Sequence, residues 1–264
     1  MQAFVRNKDI LADLYLPKKD KNNKIGIVWL PGLPNQPKEA LLGNRISEAG
    51  FTMLHPRYPG SWQSYGNFGP TSSLEGALLA LELLSKRKTI DLASQNEVEW
   101  DVNHLILVGH SYGGGIAMCA QGVSQLSDAT IVFSPLLEAH LQNEDPLYPE
   151  DDLTTLYPYL KRCHENTFRN LDVNEWENFL KGKHPCNPNR YIDVLVKNPI
   201  LLIHGEEDTV IRPYHTENFY NKLKRNGSDC IDLMMINGAG HDKTLPVDTF
   251  DLWSEWIKKR FSII

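Results

Sequence analysis

One segment constrains the fold of this 264-residue chain more than any other: Leu105-Ile-Leu-Val108 running into Gly109-His-Ser-Tyr-Gly113. Four consecutive apolar residues without polar alternation predict a strand buried on both faces, as in the interior of a parallel sheet. Gly113 to Gln125 then continues as a helix. Gly109, Ser111 and Gly113 make up G-x-S-x-G, and the strand–turn–helix setting is the context in which this motif presents a serine at the crest of a sharp turn. Flanking glycines remove side chains that would clash there, and the hydroxyl projects at the C-terminal end of the strand beside the positive end of a helix. Glycine and serine are common, so a Gly-rich turn without chemistry is the competing reading of the motif alone.

Around this segment, short apolar runs alternate with helical patterns, which predicts an α/β architecture on a largely parallel sheet. Ile10 to Leu16 alternates and ends at Pro17, Lys18 to Lys24 is a charged turn, and Ile25 to Leu30 is the next strand. Together these predict an antiparallel hairpin at the sheet edge. Pro37 to Ala49 reads as a helix stopped by Gly50, followed by a strand from Phe51 to Leu54 and a turn-rich stretch from His55 to Pro70. Ser73 to Lys86 places Leu74, Leu78, Leu81 and Leu84 on one helical face. Strands follow at Thr130–Phe133, Ile200–Ile203 and Ile231–Ile236, with helices at Tyr214–Lys224 and Thr249–Phe261. Between Leu136 and Lys197 the rhythm breaks into an acidic, Pro-containing piece and then a helical, aromatic one. A stretch so long predicts a helical cap rather than a bare loop. It begins and ends at strand termini and so belongs over one end of the sheet. The expected division is a core of 1–135 and 198–264 with a cap of 136–197.

A serine hydroxyl is a poor nucleophile until a base removes its proton, and an imidazole titrates in the useful range. Of the nine histidines, His241 stands out: it follows Asn237-Gly-Ala-Gly240, a loop of small residues just past the last strand. Asp208, in Ile203-His-Gly-Glu-Glu-Asp-Thr-Val210, lies just past another buried strand, where a carboxylate can accept the Nδ1 proton and hold the imidazole's tautomer. Glu206, Glu207 and Asp242 compete with it. The chain order serine, acid, histidine matches this kind of architecture. The backbone N–H of Tyr112 is the expected first oxyanion donor. Leu33, in the loop Trp29-Leu-Pro-Gly-Leu-Pro-Asn-Gln36, is the expected second, because Pro34 has no N–H. His110 and His204 flank the site as packing or hydrogen-bonding groups.

Several classes are disfavoured. A net charge of -6 with no Lys/Arg block offers phosphate backbones no attractive surface, so no nucleic acid partner is expected. The apolar runs are far shorter than a membrane span, and the charged start lacks a signal peptide's apolar region. Cys119, Cys163, Cys186 and Cys230 contain no CxxC pair, which suits reduced thiols in a cytoplasmic protein, although Cys163 and Cys186 could bridge within the cap. The remaining histidines show no ligand spacing, so no metal and no cofactor is expected. The sequon Asn226-Gly-Ser228 reads as a chance match.

Gly109-His-Ser-Tyr-Gly113, His204-Gly-Glu-Glu-Asp208 and Gly238-Ala-Gly-His241 resemble the three signature segments of α/β-hydrolase enzymes, in the same order. The opening Leu11-Ala-Asp-Leu-Tyr-Leu-Pro17 and the Ser-Tyr-Gly-Gly elbow are most similar to prolyl oligopeptidase-like and dienelactone hydrolase-like members, though Pro31-Gly32 replaces their usual His-Gly. The resemblance implies a mostly parallel eight-stranded sheet and a serine hydrolase working through an acyl-enzyme without a cofactor. Its expected partner is a small-molecule ester or a short peptide. Three readings stay open: an esterase; a small peptidase, with the acidic run Glu144, Asp145, Glu150, Asp151, Asp152 meeting a substrate amine; and a non-catalytic ligand-binding protein of the same fold. That run is as readily a solvated loop. Tyr157, Tyr159, Trp176 and Phe179 either line an acyl pocket or pack the cap.

Overall fold

Apart from His104, every residue of strand β7 (His104–His110) is buried, and successive side chains enter two different apolar cores. Ile106 and Val108 face one, Leu105 and Leu107 the other, as the two-residue period of a strand dictates. The computed structural model describes residues 1–34, 37, 39–163 and 166–263, Cys163 in its backbone alone. The strands are β1 (Gln2–Asn7), β2 (Ile10–Tyr15), β3 (Ile25–Leu30), β4 (Thr52–Arg57), β5 (Lys88–Ile90), β6 (Glu97–Glu99), β7, β8 (Ala129–Phe133), β9 (Ile200–Gly205) and β10 (Ile231–Ile236). Eight form one sheet in the order β1-β2-β4-β3-β7-β8-β9-β10, parallel from β4 to β10, and β5 pairs with β6 in a separate hairpin.

On one face lie α2 (Pro70–Ser85), α3 (Tyr112–Val123) and α7 (Pro213–Arg225). The other is covered by α1 (Ala40–Glu48), the short α8 (Leu245–Asp248) and α9 (Phe250–Arg260), whose Phe250, Trp253 and Ile257 form the expected stripe. The helix expected over 37–49 begins at Ala40; Lys38 lies outside the described residues, as do Asn35 and Gln36 of the loop before it. Between β8 and β9 the chain forms α4 (Leu156–Cys163), α5 (Val173–Leu180) and the single turn α6 (Ile192–Leu195). Phe168 and Trp176 from this segment are fully buried in the same core as α2 and α3. Among the described residues, the segment thus shares that core. It is tied down where Glu175 accepts the Thr71 N–H at the start of α2, and where Phe168 bridges Ser61.

The expected hairpin between Ile10–Leu16 and Ile25–Leu30 does not form. The hairpin is β1–β2, closed at Lys8-Asp9 with Lys8 at φ 50°, while β3 sits between β4 and β7, parallel to both. The chain from 16 to 24 is longer than a tight hairpin loop, which leaves Ile25–Leu30 free to pair inside the sheet, where all six of its residues are buried. β4 also runs on through Pro56 to Arg57 because β2 pairs along it. That pairing brings Arg57 Nη2 to 2.8 Å from Asp13 Oδ2, with both side chains at most 3% exposed.

Removing one member of a buried ion pair strands its partner's charge. Asp13→Ala is expected to lower the unfolding free energy by about 3–5 kcal/mol in urea titrations; an unchanged midpoint and slope would contradict this account of the sheet edge.

Candidate active site

Ser111 alone connects β7 to α3, with φ 55° and ψ −122°, a conformation that L-residues rarely adopt. The surroundings over-determine it. Its N–H donates to the Phe133 carbonyl at 2.9 Å, and its carbonyl accepts from Gly114 and Leu136 N–H groups, each at 2.9 Å. The flanking glycines are sterically required: a Cβ on Gly109 would stand 2.3 Å from the Gly113 oxygen, and one on Gly113 would stand 2.2 Å from the Leu30 oxygen. Helix α3 thus starts in backbone contact with β3 and β7, which lifts the serine side chain to the sheet rim.

The three separated segments meet there. Ser111 Oγ donates to His241 Nε2 at 3.0 Å, and His241 Nδ1 donates to Asp208 Oδ2 at 2.7 Å. Asp208 is fully buried, and its Oδ1 accepts the Val210 and Ile211 N–H groups at 2.9 Å each. Burial pushes this carboxyl up, but hydrogen bonds from His204 and His241 outweigh it and hold the group well below the usual carboxylate range. Glu206, Glu207 and Asp242 are exposed, and Asp242 accepts the Gly240 N–H instead. His110 packs its ring 5.1 Å from that of His241, and burial, aided by the neighbouring His241, pushes its imidazole down to about 3, so it stays neutral.

Tyr112 occupies the first position of α3, where helix geometry gives the N–H no intrahelical acceptor. Leu33 lies with Ser111 and His241 in the walls of two adjoining clefts. One, of about 290 Å³, also contains Trp29, Glu39, His110 and Lys243. The other, of about 440 Å³, is closed by Leu136, Leu153, Leu156, Tyr159, Val210 and Ile211, with Asp151 and Asp152 also in its wall. The Tyr58 hydroxyl, itself buried, donates to the Pro31 carbonyl at 2.9 Å and anchors the Leu33 loop from below, a support that no sequence pattern signals.

The insertion's candidates divide. Tyr159 lines the larger cleft, whereas Trp176 and Phe179 pack on the Tyr112 ring at 5.9 and 5.7 Å between centroids, and Tyr157 rests half-buried against the core. Glu150, read as part of an acidic run, is not solvated: it accepts from Tyr214 Oη at 2.9 Å, His215 Nε2 at 2.7 Å and the Arg212 N–H at 3.1 Å. Cys186 is a free thiol that donates to the Pro70 carbonyl at 3.2 Å, and the Cys163 side chain lies outside the described atoms. Among the described residues, no helix is long and apolar enough to cross a membrane.

Comparison with solved structures places this architecture among the α/β-hydrolases. The α/β-hydrolase GrgF from Penicillium superposes with a TM-score of 0.68 at 16% identity over 98% of this chain and 97% of its own. The thermophilic esterase Est2 from Thermogutta terrifontis gives 0.63 at 18%, covering 97% and 92%. The acylaminoacyl peptidase of Pyrococcus horikoshii gives 0.69 at 18%, covering 98% of this chain but 41% of that larger one. No curated protein matches in sequence. The sequence pattern of the prolyl oligopeptidase family matches residues 88–262, so the chain belongs to that family and is a serine hydrolase.

Gly113→Ala tests the steric argument. The added methyl group meets backbone oxygen rather than a movable side chain, so a loss of about 1–3 kcal/mol in stability is expected, together with slower fluorophosphonate labelling of Ser111. Wild-type stability and labelling would show that close helix–strand contact does not set the turn.

Proposed function

We propose that Ser111, His241 and Asp208 act as a catalytic triad, that the Tyr112 and Leu33 N–H groups form the oxyanion hole, and that the enzyme cleaves a carboxylic ester through an acyl-enzyme. The observation carrying this reading is the continuous hydrogen-bond run from Ser111 Oγ through His241 to Asp208, at 3.0 and 2.7 Å. Ser111 Oγ attacks the carbonyl carbon as His241 Nε2 takes its proton, and ionised Asp208 stabilises the imidazolium. The tetrahedral oxyanion forms against the backbone donors, and collapse expels the alcohol, which receives its proton from His241. Water then repeats the sequence on the acyl-enzyme.

The ester reading over the peptide one draws on the larger cleft. Its aliphatic side chains Leu136, Leu153, Leu156, Val210 and Ile211 suit an apolar acyl group, and burying such a group contributes about 25 cal/mol per Å². The family match and the likeness to an acylaminoacyl peptidase keep a peptidase as the second reading. In both, residues 136–197 serve as a cap whose stretch from Asp151 to Tyr159 borders the substrate. A cytoplasmic location accords with the free thiols of Cys119, Cys186 and Cys230.

Ser111→Ala is expected to abolish hydrolysis of nitrophenyl esters, and Asp208→Asn to lower kcat by about 10⁴-fold, the loss that accompanies the wrong imidazole tautomer. Turnover by Ser111→Ala would refute the assignment. Efficient cleavage of aminoacyl anilides with inert esters would replace the ester reading by the peptide one.

A further inference from the structure

A second histidine bonds to the same carboxylate. His204, at the end of β9 and fully buried, places Nε2 at 3.1 Å from Asp208 Oδ2 and at 2.9 Å from the Ile211 carbonyl. Its Nδ1 lies 2.7 Å from Thr216 Oγ1 in α7. A carbonyl oxygen only accepts, so Nε2 carries the proton. Nδ1 pairs with the Thr216 hydroxyl, so both ring nitrogens are satisfied. The Nε2–H donates to Ile211 O, and the same nitrogen stands 3.1 Å from the Oδ2 that receives the His241 Nδ1–H.

We propose that His204 is a positioning residue for the hydrolysis, holding Asp208 Oδ2 toward His241 by clamping the Asp208–Ile211 turn from inside the protein. The proposal rests on the Ser–His–Asp reading above. Two observations carry it. First, Ile211 is bonded from both ends of this small network: its N–H donates to Asp208 Oδ1 at 2.9 Å and its carbonyl receives His204. The carboxylate's rotation about its own axis is thereby fixed by groups on one turn. Second, the donor is itself immobilised. Thr216, fully buried in α7, prevents the ring from flipping, so α7 and the end of β9 together define where Oδ2 points. Misplacing a catalytic group by an ångström from outside the reacting atoms can cost on the order of 100-fold in rate.

His204→Phe keeps a ring of similar shape but removes both nitrogens. On a nitrophenyl ester it is expected to lower kcat by roughly 100-fold while KM changes little, because no atom of His204 reaches the substrate clefts. His204→Gln, which restores an amide N–H near the Nε2 position, is expected to recover most of that kcat. Thr216→Val, which frees the ring without touching it, is expected to lower kcat less than His204→Phe does. The proposal is overturned if His204→Phe, folded by circular dichroism, keeps wild-type kcat, or if its loss appears in KM. It is likewise overturned if glutamine rescues no better than phenylalanine. Should the phenylalanine variant fail to fold, the ratio of kcat between Thr216→Val and wild type decides the matter, a ratio of one counting against it. Retained activity in Ser111→Ala would instead remove the reading beneath the proposal, so the two failures are distinguishable.

Discussion

The backbone of Ser111 is the constraint on which the rest depends. Its positive φ persists because α3 is pressed against β3 and β7 at Gly109 and Gly113, where any side chain would meet main-chain oxygen. That contact presents the hydroxyl at the carboxyl rim of the sheet, where the chain leaves β9 toward Asp208 and leaves β10 toward His241. Parallel strands end on the same side, so loops far apart in sequence become neighbours without any local signal between them.

Hydrogen bonds offset the cost of burial at Asp208. A lone carboxylate in Asp208's position would be destabilised by loss of water. Here both oxygens are engaged, Oδ1 by two backbone N–H groups and Oδ2 by two imidazoles, which keeps the group ionised and aimed. The half-exposed rim is different in character. Leu33 sits in a loop held by the Tyr58 hydroxyl, and the clefts on either side of Ser111 differ in chemistry. One has Glu39 and Lys243 in its wall, and the other combines aliphatic side chains with Asp151 and Asp152. The segment between β8 and β9 contributes to both core and rim: Trp176 and Phe179 pack beneath, Leu153 and Tyr159 face the cleft, and buried Glu150 fastens the intervening loop to the start of α7.

The interior of the sheet was legible because its strands are short apolar runs bounded by turn residues. Ile25–Leu30 and Ile231–Ile236 end where the sequence pattern ends. Strand pairing is not legible, since nothing in Ile10–Tyr15 says that its neighbour is β4 rather than β3, and both of those strands are buried throughout. β1 is not visible in the sequence because Arg6 within it and Lys8 just after it obscure a pattern in which alternate residues are buried. That Ser111 and His241 meet is legible from motif and order, whereas only the fold brings Asp208 rather than Glu206, Glu207 or Asp242 to the imidazole. His204 could not be joined to Asp208 from sequence, although it lies only four residues away, because a strand end and a turn must first fold the chain back on itself. The Glu150 contacts lie further still from local pattern, spanning more than sixty residues to α7.

The most direct test of the central claim is intact-protein mass spectrometry of the enzyme mixed with a nitrophenyl ester and quenched in acid within its first turnovers, followed by peptide mapping. The expected result is a mass increase equal to the acyl group, located on Ser111, absent from Ser111→Ala and longer-lived in a variant lacking the His241 imidazole when an activated ester is used. An acyl adduct on another residue, or ester turnover with no covalent intermediate and an unmodified Ser111, would contradict the account.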